Sequence, residues 1–290
     1  MRIAAVLAAF AFALPAAAQD ENGALKAYDR AVRNMNESAG YHLESKIGFE
    51  MGGAPMEGGS VEGVIVNPGF GHFKVTIAGN TIELFKEKDA VAIHNPQSGK
   101  WEAQSTNQTL DFFVKIFNLG ELLEQLQGDA QKAEFGETEE IGKRECRTVE
   151  FGVAQATLKT LMEGKAQAGL GVTPENTTMT VKAWLDKKEK LPRQIRIVID
   201  VELRGLPGAP DGEEWEDWEE EDGGKKKEEG EGKKEEDEED EIPPMKVAIT
   251  VTAQIRNYGE DLKVNVPPAA RKVLDAQKTT ETEPGEEKEE

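Results

Sequence analysis

Hydrophobic and polar residues follow two different periods along this chain. Near the start, Leu25, Tyr28, Val32 and Met35 recur every three or four residues, which predicts an amphipathic helix that ends near Gly40. The period then changes to two, and segments that alternate in this way are separated by Gly, Asn and Pro. Because these strands follow one another too closely for helical crossovers, the pattern predicts an antiparallel meander.

The strand pattern is clearest at the two ends of the predicted sheet. In YHLESKIGFEM, the apolar side chains of every second residue share one face, so this strand is expected to have one buried face. Apolar helical segments, TLDFFVKIFNLG and ELLEQLQG, interrupt the meander. Later, NTTMTVKAWLDKKEKLPRQIRIVIDVEL predicts a hairpin that turns at Asp186 to Lys190, and MKVAITVTAQI predicts a further long strand.

Charge is concentrated in two segments that the apolar pattern leaves out. Residues 211–241 carry a net charge of −14 and residues 275–290 a net charge of −5, out of −21 for the whole chain. Neither segment has enough apolar residues to offset the entropy of ordering. We therefore predict a nearly neutral folded body with a disordered acidic insert at 208–243, inside a hairpin, and a disordered acidic tail at 275–290.

The N-terminus has the pattern of a secretory signal peptide. An arginine precedes an apolar run at 3–14, and an Ala-x-Ala site precedes Gln19, which predicts removal of residues 1–18 and a periplasmic or secreted protein. A membrane anchor is the alternative, but this run is shorter than the roughly 20 residues that a span requires. The only cysteine, Cys146, lies in a strand-like run and is expected to be a core residue.

Motifs for catalysis, cofactors or metals are missing from the sequence. His42, His72 and His94 fall on or beside three separate strands, and the adjacent Glu139 and Glu140 point to opposite faces of one strand. The acidic insert lacks the spacing of a calcium loop, and the body has no excess of basic residues for nucleic acid. We expect a protein that is not an enzyme, with no metal, no cofactor and no nucleic-acid partner.

Several segments in this order resemble a known superfamily. AGYHLES after the first helix, the hairpin WLDKKEKLP and the terminal NYGEDLKVNVPPAA together resemble the lipoprotein carrier LolA and the mycobacterial lipoproteins LppX and LprG. The resemblance covers residues 25–273 without the insert. It implies an α+β fold, in which a strongly curved antiparallel sheet forms an incomplete barrel and helices cover its concave face. This chain lacks the lipobox cysteine of the lipoproteins, and the acidic insert is no part of the family pattern.

The resemblance also implies a function, which we assign to a single domain at 19–274. The concave face would bind the acyl chains of lipids or lipoproteins, so the expected protein is a monomeric carrier that serves the outer membrane. The residues expected to line the cavity are Tyr41, Leu43, Ile47, Phe49, Phe73, Val75, Phe113 and Phe117. The same residues would equally form a closed core. The alternative function is a regulatory or scaffold protein that binds a lipoprotein, a membrane-associated protein or another protein partner.

Overall fold

A computed structural model of the chain describes residues 21–104, 119–128, 130–162, 176–203, 245–259 and 262–280. The predicted signal peptide and acidic insert lie outside these ranges. The helices are α1 (Glu21–Glu37), α2 (Leu119–Gln127), α3 (Gln155–Met162) and α4 (Pro268–Thr280). The strands are β1 (Gly40–Met51), β2 (Ala54–Val66), β3 (Phe70–Ile77), β4 (Asn80–Glu87), β5 (Ala90–Asn95), β6 (Lys100–Ala103), β7 (Gln131–Ile141), β8 (Arg144–Gly152), β9 (Thr177–Asp186), β10 (Pro192–Leu203) and β11 (Met245–Arg256).

The strands form one antiparallel sheet in the order β6-β5-β4-β3-β2-β1-β11-β10-β9-β8-β7. Two meanders, β1 to β6 and β7 to β11, meet where the first strand pairs with the last, with Leu43 opposite Ile255. The sheet is not closed into a barrel, since β6 and β7 stand at its two edges. The predicted α+β fold with an open antiparallel sheet is confirmed.

Helices α1 and α2 cover one face of the sheet. The apolar stripe of α1 is buried at Tyr28, Val32 and Met35, and Tyr28 donates a hydrogen bond to the backbone oxygen of Leu123 in α2 at 3.2 Å. The ring of Tyr28 also meets Phe151 of β8 edge-on, with 4.9 Å between centroids. We call this the main face of the sheet. Its buried side chains, which come from α1, α2 and strands between β1 and β11, form the main core.

Helix α4, which the sequence patterns did not predict, packs on the opposite face of the sheet. Its Ala270 and Leu274 are fully buried against Phe85 of β4, whose neighbour Leu84 belongs to the main core. Glu87 of β4 accepts hydrogen bonds from Arg271 and from Lys278, so charge pairs also hold this helix. Helix α4 continues to Thr280, beyond residue 275, where the sequence predicts the start of the acidic tail.

The C-terminal segment NYGEDLKVNVPPAA has residues that pack against the main core and others that pack against the core under α4. Gly259 has a φ of +69°, a conformation that favours glycine, and its N–H donates to the backbone oxygen of Gly40 at 3.1 Å. Tyr258, just before it, packs beside Tyr41 with 5.7 Å between ring centroids. Further on, Val264 and Val266 pack against the core under α4.

The long hairpins match the sequence patterns. Strand β9 turns into β10 through Asp186, whose Oδ1 accepts hydrogen bonds from the backbone N–H groups of Lys188 and Glu189 at 2.8 and 2.9 Å. Strand β10 pairs with β11 as far as Leu203, which lies opposite Met245. The two residues that flank the undescribed segment 204–244 are therefore adjacent across the strands.

Candidate functional site

The predicted ligand-binding residues do not share one environment. Five of them, Tyr41, Leu43, Ile47, Phe73 and Val75, lie on the main face and are at most 3 % exposed. A cavity large enough for an acyl chain would leave its lining side chains accessible, so these side chains form a filled core. Phe49 is only partly buried, and Phe113 and Phe117 lie outside the described residues.

The filled part of the main face, which we call the closed half, extends over several strands in register. Leu43 lies opposite Ile255, and on the other side opposite Gly63, which in turn pairs with Phe73. The Phe73 ring covers this glycine closely, because a Cβ at Gly63 would come within 2.3 Å of Cδ1 of Phe73. The Phe73 ring therefore fills the space over Gly63, beside Leu43.

One polar group lies within the closed half. Ser45 of β1 is 2 % exposed, and its Oγ is the one buried side-chain nitrogen or oxygen in the described residues that has no hydrogen-bond partner. Its cross-strand neighbours are Val61 and Ala253. A buried hydroxyl without a partner costs about 1–3 kcal/mol, so Ser45 contributes no favourable polar contact to this half.

At one margin of the closed half is a small open pocket of ≈ 270 Å³. Tyr41 and Phe73 line it, together with Leu119 and Glu121 from the start of α2 and Lys86 from β4. Burial lowers the pKa of Lys86, although the nearby Asp89 and Glu121 oppose this change. Of the predicted residues, Tyr41 and Phe73 thus reach a pocket, and this pocket combines aromatic side chains with charged ones.

The main face becomes less deeply buried two residues beyond Ile47. Phe49 of β1, Ile249 of β11, Ile199 of β10 and Met179 of β9 lie side by side in register and are all partly buried. We call these four residues the open row. At about 4.8 Å between strands, the row runs for roughly 14 Å across the sheet. It is apolar throughout. Beyond it on the same face, Met51 of β1 is 45 % exposed, whereas Val201 of β10 and Thr177 of β9 are again buried.

Two methionines extend this apolar surface at the β1–β2 hairpin. Met51 is 45 % exposed and Met56 is 48 % exposed, and Met56 pairs with Phe49 across the strands. The register shifts between Ile47 and Gly48, so that Gly58 has no partner there, and the Phe49 ring lies over Gly58. A β-bulge of this kind bends a strand and redirects its side chains.

The candidate catalytic residues have structural partners instead. Nε2 of His72 lies 2.7 Å from a carboxylate oxygen of Glu83, and the His72 ring stacks on Phe85. Glu139 accepts hydrogen bonds from Nε1 of Trp184 at 2.8 Å and from Nζ of Lys182, and these contacts hold the pKa of its carboxyl below the usual value.

The described ranges contain neither a cluster of metal ligands nor a helix that could span a membrane. No group of three or more His, Cys, Asp or Glu side chains in those ranges could hold a metal ion. Likewise, none of the helices described there is both long and apolar enough to cross a bilayer.

Some features of this site escaped the sequence analysis. Ile249 was visible in the alternation of its own strand, but its alignment with Phe49, Ile199 and Met179 depends on the register of three strand pairs. The sequence did carry one signal for this region, the adjacent Gly58 and Gly59 inside a strand pattern, which is typical of a bulge.

Comparison with known proteins found similar chains among solved structures alone. No family model and no curated protein matches it. Among solved structures it is similar to the lipoprotein LppX of Mycobacterium tuberculosis, with 10 % identity and a TM-score of 0.47 over 84 % of this chain and 100 % of that one. LprF of Mycobacterium bovis gives 11 % identity and a TM-score of 0.45 over 86 % and 98 %. A LolA superfamily protein of Nitrosomonas europaea gives 8 % identity and a TM-score of 0.26 over 88 % and 97 %. The likeness concerns the fold alone.

Proposed function

We propose that this protein binds the acyl chains of lipids or lipoproteins without covalent chemistry, and that it serves as a carrier in the periplasm. The observation that carries the proposal is the open row. Phe49, Ile249, Ile199 and Met179 present a continuous apolar strip whose members are all partly exposed, and its accessible margin lies at Phe49, beside the exposed Met51. The site thus differs from the original prediction, because the ligand lies beside the closed half and not inside it.

The free energy gained by burying an alkyl chain is sufficient to hold such a ligand on this strip. Each methylene group that leaves water contributes about 0.8 kcal/mol, and an alkyl chain needs no polar partner. The row offers apolar side chains only, and its Met179 adapts to ligands of different shape. Rigid strands hold three of its four members between neighbours on both sides, so little ordering is required on binding.

Extraction of lipid from the purified protein, followed by mass spectrometry, tests this proposal. We expect co-purified lipid with acyl chains in the wild type and its loss in Ile199→Asn. Val198→Asn is the matched control, because Val198 is the next residue on β10 and points to the opposite face. Lipid-free wild-type protein, or equal loss in both variants, would contradict the proposal.

A protein-binding scaffold is the second candidate function. It is favoured by Met51 and Met56, whose exposure is unusual for large apolar side chains. The double variant Met51→Ser/Met56→Ser separates the two functions, since both residues lie at the hairpin and outside the open row. A scaffold would lose its partner in this variant, whereas a carrier would retain most of its lipid.

A further inference from the structure

A second candidate site lies at the other end of the strands. It is a groove of ≈ 590 Å³ between α1 and the end of the β8–β9–β10 region. Five basic side chains line it, whereas Asp186 is the one acidic residue in its lining. The basic residues are Lys26, Arg30, Arg147, Lys187 and Lys190. Outside the two acidic segments the chain is nearly neutral, so the groove holds a local excess of basic side chains.

The single carboxylate does not neutralise the groove. Asp186 is 2 % exposed, and its oxygens accept hydrogen bonds from the backbone of Lys188 and Glu189 and from Nε of Arg193, the last at 3.3 Å. Although burial acts to raise the pKa of Asp186, these contacts hold it below the usual value. Because its charge is compensated by Arg193 outside the groove, the groove itself remains strongly positive.

Four of the five cations have no anionic partner among the described residues, and three of these four form no side-chain hydrogen bond either. Lys187 pairs with Glu145 at 2.7 Å, and Lys190 donates to a backbone oxygen. By contrast, Lys26, Arg30 and Arg147 form no ion pair within the described ranges. Two of them, Lys26 and Arg30, stand four residues apart on α1, where like charges destabilise a helix slightly. Their arrangement therefore needs a reason outside the stability of the helix.

Arg147 occupies a position where the strand pattern calls for an apolar residue. It lies on the main face of β8, two residues before the fully buried Val149. Its guanidinium sits over the ring of Phe135, with 3.5 Å from Cζ to the ring centroid. Stacking against the ring fixes the orientation of the guanidinium and leaves its N–H groups available for an anion.

The floor of the groove is apolar. Its accessible side chains are Ala27 of α1 and Phe135 of β7, which are partly buried, whereas Ala31 of α1 and Leu185 of β9 also line it but are buried in the main core. A free inorganic anion would gain nothing from such a floor. A peptide would leave its backbone groups without partners there, because these four side chains neither donate nor accept hydrogen bonds.

We infer that this groove binds the phosphate headgroup of an anionic phospholipid, with the first part of the acyl chains on the apolar floor. The basic rim satisfies the phosphate oxygens, and Arg147 supplies a planar set of donors that suits them. The site is independent of the open row. Leu185 in the groove and Met179 in the row are six residues apart on β9, or roughly 20 Å.

Titration of the mature protein with soluble short-chain lipids tests the inference. Dihexanoyl phosphatidic acid carries both the phosphate monoester and the chains, dihexanoyl phosphatidylcholine has the same chains with a zwitterionic headgroup, and inorganic phosphate has the charge alone. We expect phosphatidic acid to bind at least about tenfold more tightly than either of the others, since charge and apolar floor contribute together. Hexaglutamate, as an acidic peptide, is expected to bind more weakly than phosphatidic acid.

A pair of charge-matched variants locates the site. Lys26→Gln/Arg147→Gln removes two groove cations, and we expect about tenfold weaker binding of phosphatidic acid. Lys74→Gln/Arg196→Gln removes the same two residue types from exposed positions on β3 and β10, and we expect unchanged affinity. Circular dichroism and thermal unfolding verify that both variants fold.

Several results would overturn the inference. Equal affinity for inorganic phosphate would show a simple anion site, and equal affinity for phosphatidylcholine would show that the cations are not involved. Tighter binding of hexaglutamate would identify an acidic protein partner. An equal loss in the Lys74→Gln/Arg196→Gln control would show a general effect of net charge.

Discussion

The two halves of the main sheet face have the same alternation of apolar residues but differ in how completely they are covered. In the closed half, Ile195 of β10 is 1 % exposed under the helices. Ile199, four residues along the same strand and on the same face, is only partly buried in the open row. The comparison shows that alternation determines which side chains share a face, whereas packing against other elements determines how deeply each of them is buried.

The largest effect is expected from truncating one isoleucine in each half. Ile195→Ala removes fully buried atoms and should destabilise the protein by about 2–5 kcal/mol. Ile199→Ala removes less buried area and should cost about 1 kcal/mol, while it lowers the amount of bound lipid. Urea unfolding and lipid quantification on both variants measure these two effects. Equal destabilisation, or lipid loss in Ile195→Ala alone, would remove the distinction between the halves.

A charge in the open row should abolish function and spare the fold. Phe49→Arg places a cation in the apolar strip beside Ile249, and an alkyl chain cannot compensate the desolvation of that cation. We expect loss of lipid loading with unchanged circular dichroism, because the longer side chain reaches solvent along the accessible margin. Lys46→Arg is the control, since Lys46 is exposed on the opposite face of β1. Unchanged lipid content in Phe49→Arg would place the ligand elsewhere.

Asp186 supports the end of the closed half, and its effect should depend on pH. Asp186→Asn weakens the hydrogen bonds to the β9–β10 turn and leaves Arg193 without its buried partner, at a cost of about 1–3 kcal/mol at pH 7. Since the folded-state pKa is lowered, this stabilisation is present above the ordinary carboxyl value of about 3.9 and is lost as the pH falls through the folded-state value. Unfolding curves of wild type and variant should therefore converge once the pH falls below the folded-state pKa of Asp186, and a constant gap would contradict this interpretation.

The smallest effect is expected from the acidic insert. Leu203 and Met245 are cross-strand partners, so a short Asn-Gly turn in place of residues 211–241 can connect β10 and β11. Loop closure depends only weakly on loop length, and we expect unchanged folding, unchanged lipid loading and equal or slightly higher thermal stability. Loss of lipid with an intact fold would make the insert part of the binding site.

Much of the fold could be predicted because it depends on local patterns. The alternation of Tyr41, Leu43, Ile47 and Phe49 identified the main face, and the turn at Asp186 to Lys190 identified the hairpin. The position of α4 could not be predicted in the same way. Its apolar contacts, Ala270 and Leu274, are few, and the acidic residues that follow suggested a tail.

The division of the candidate site could not be predicted because it depends on packing between distant segments. Phe73 fills the space over Gly63 only when β2 and β3 pair in one register. In the same way, Arg147 becomes part of a basic groove only when α1 lies across β7 to β9, which brings Lys26 to the same place. Single-residue patterns contain no information about such contacts.

Photochemical crosslinking of a diazirine fatty acid, followed by peptide mapping, tests most directly where acyl chains bind. We expect the label on peptides that contain Phe49, Met179, Ile199 or Ile249, with none on Leu43 or Val75 of the closed half. Competition by unlabelled fatty acid should remove the label from the open row. Labelling at Leu43 and Val75, or labelling that resists competition, would contradict a binding site on the open row.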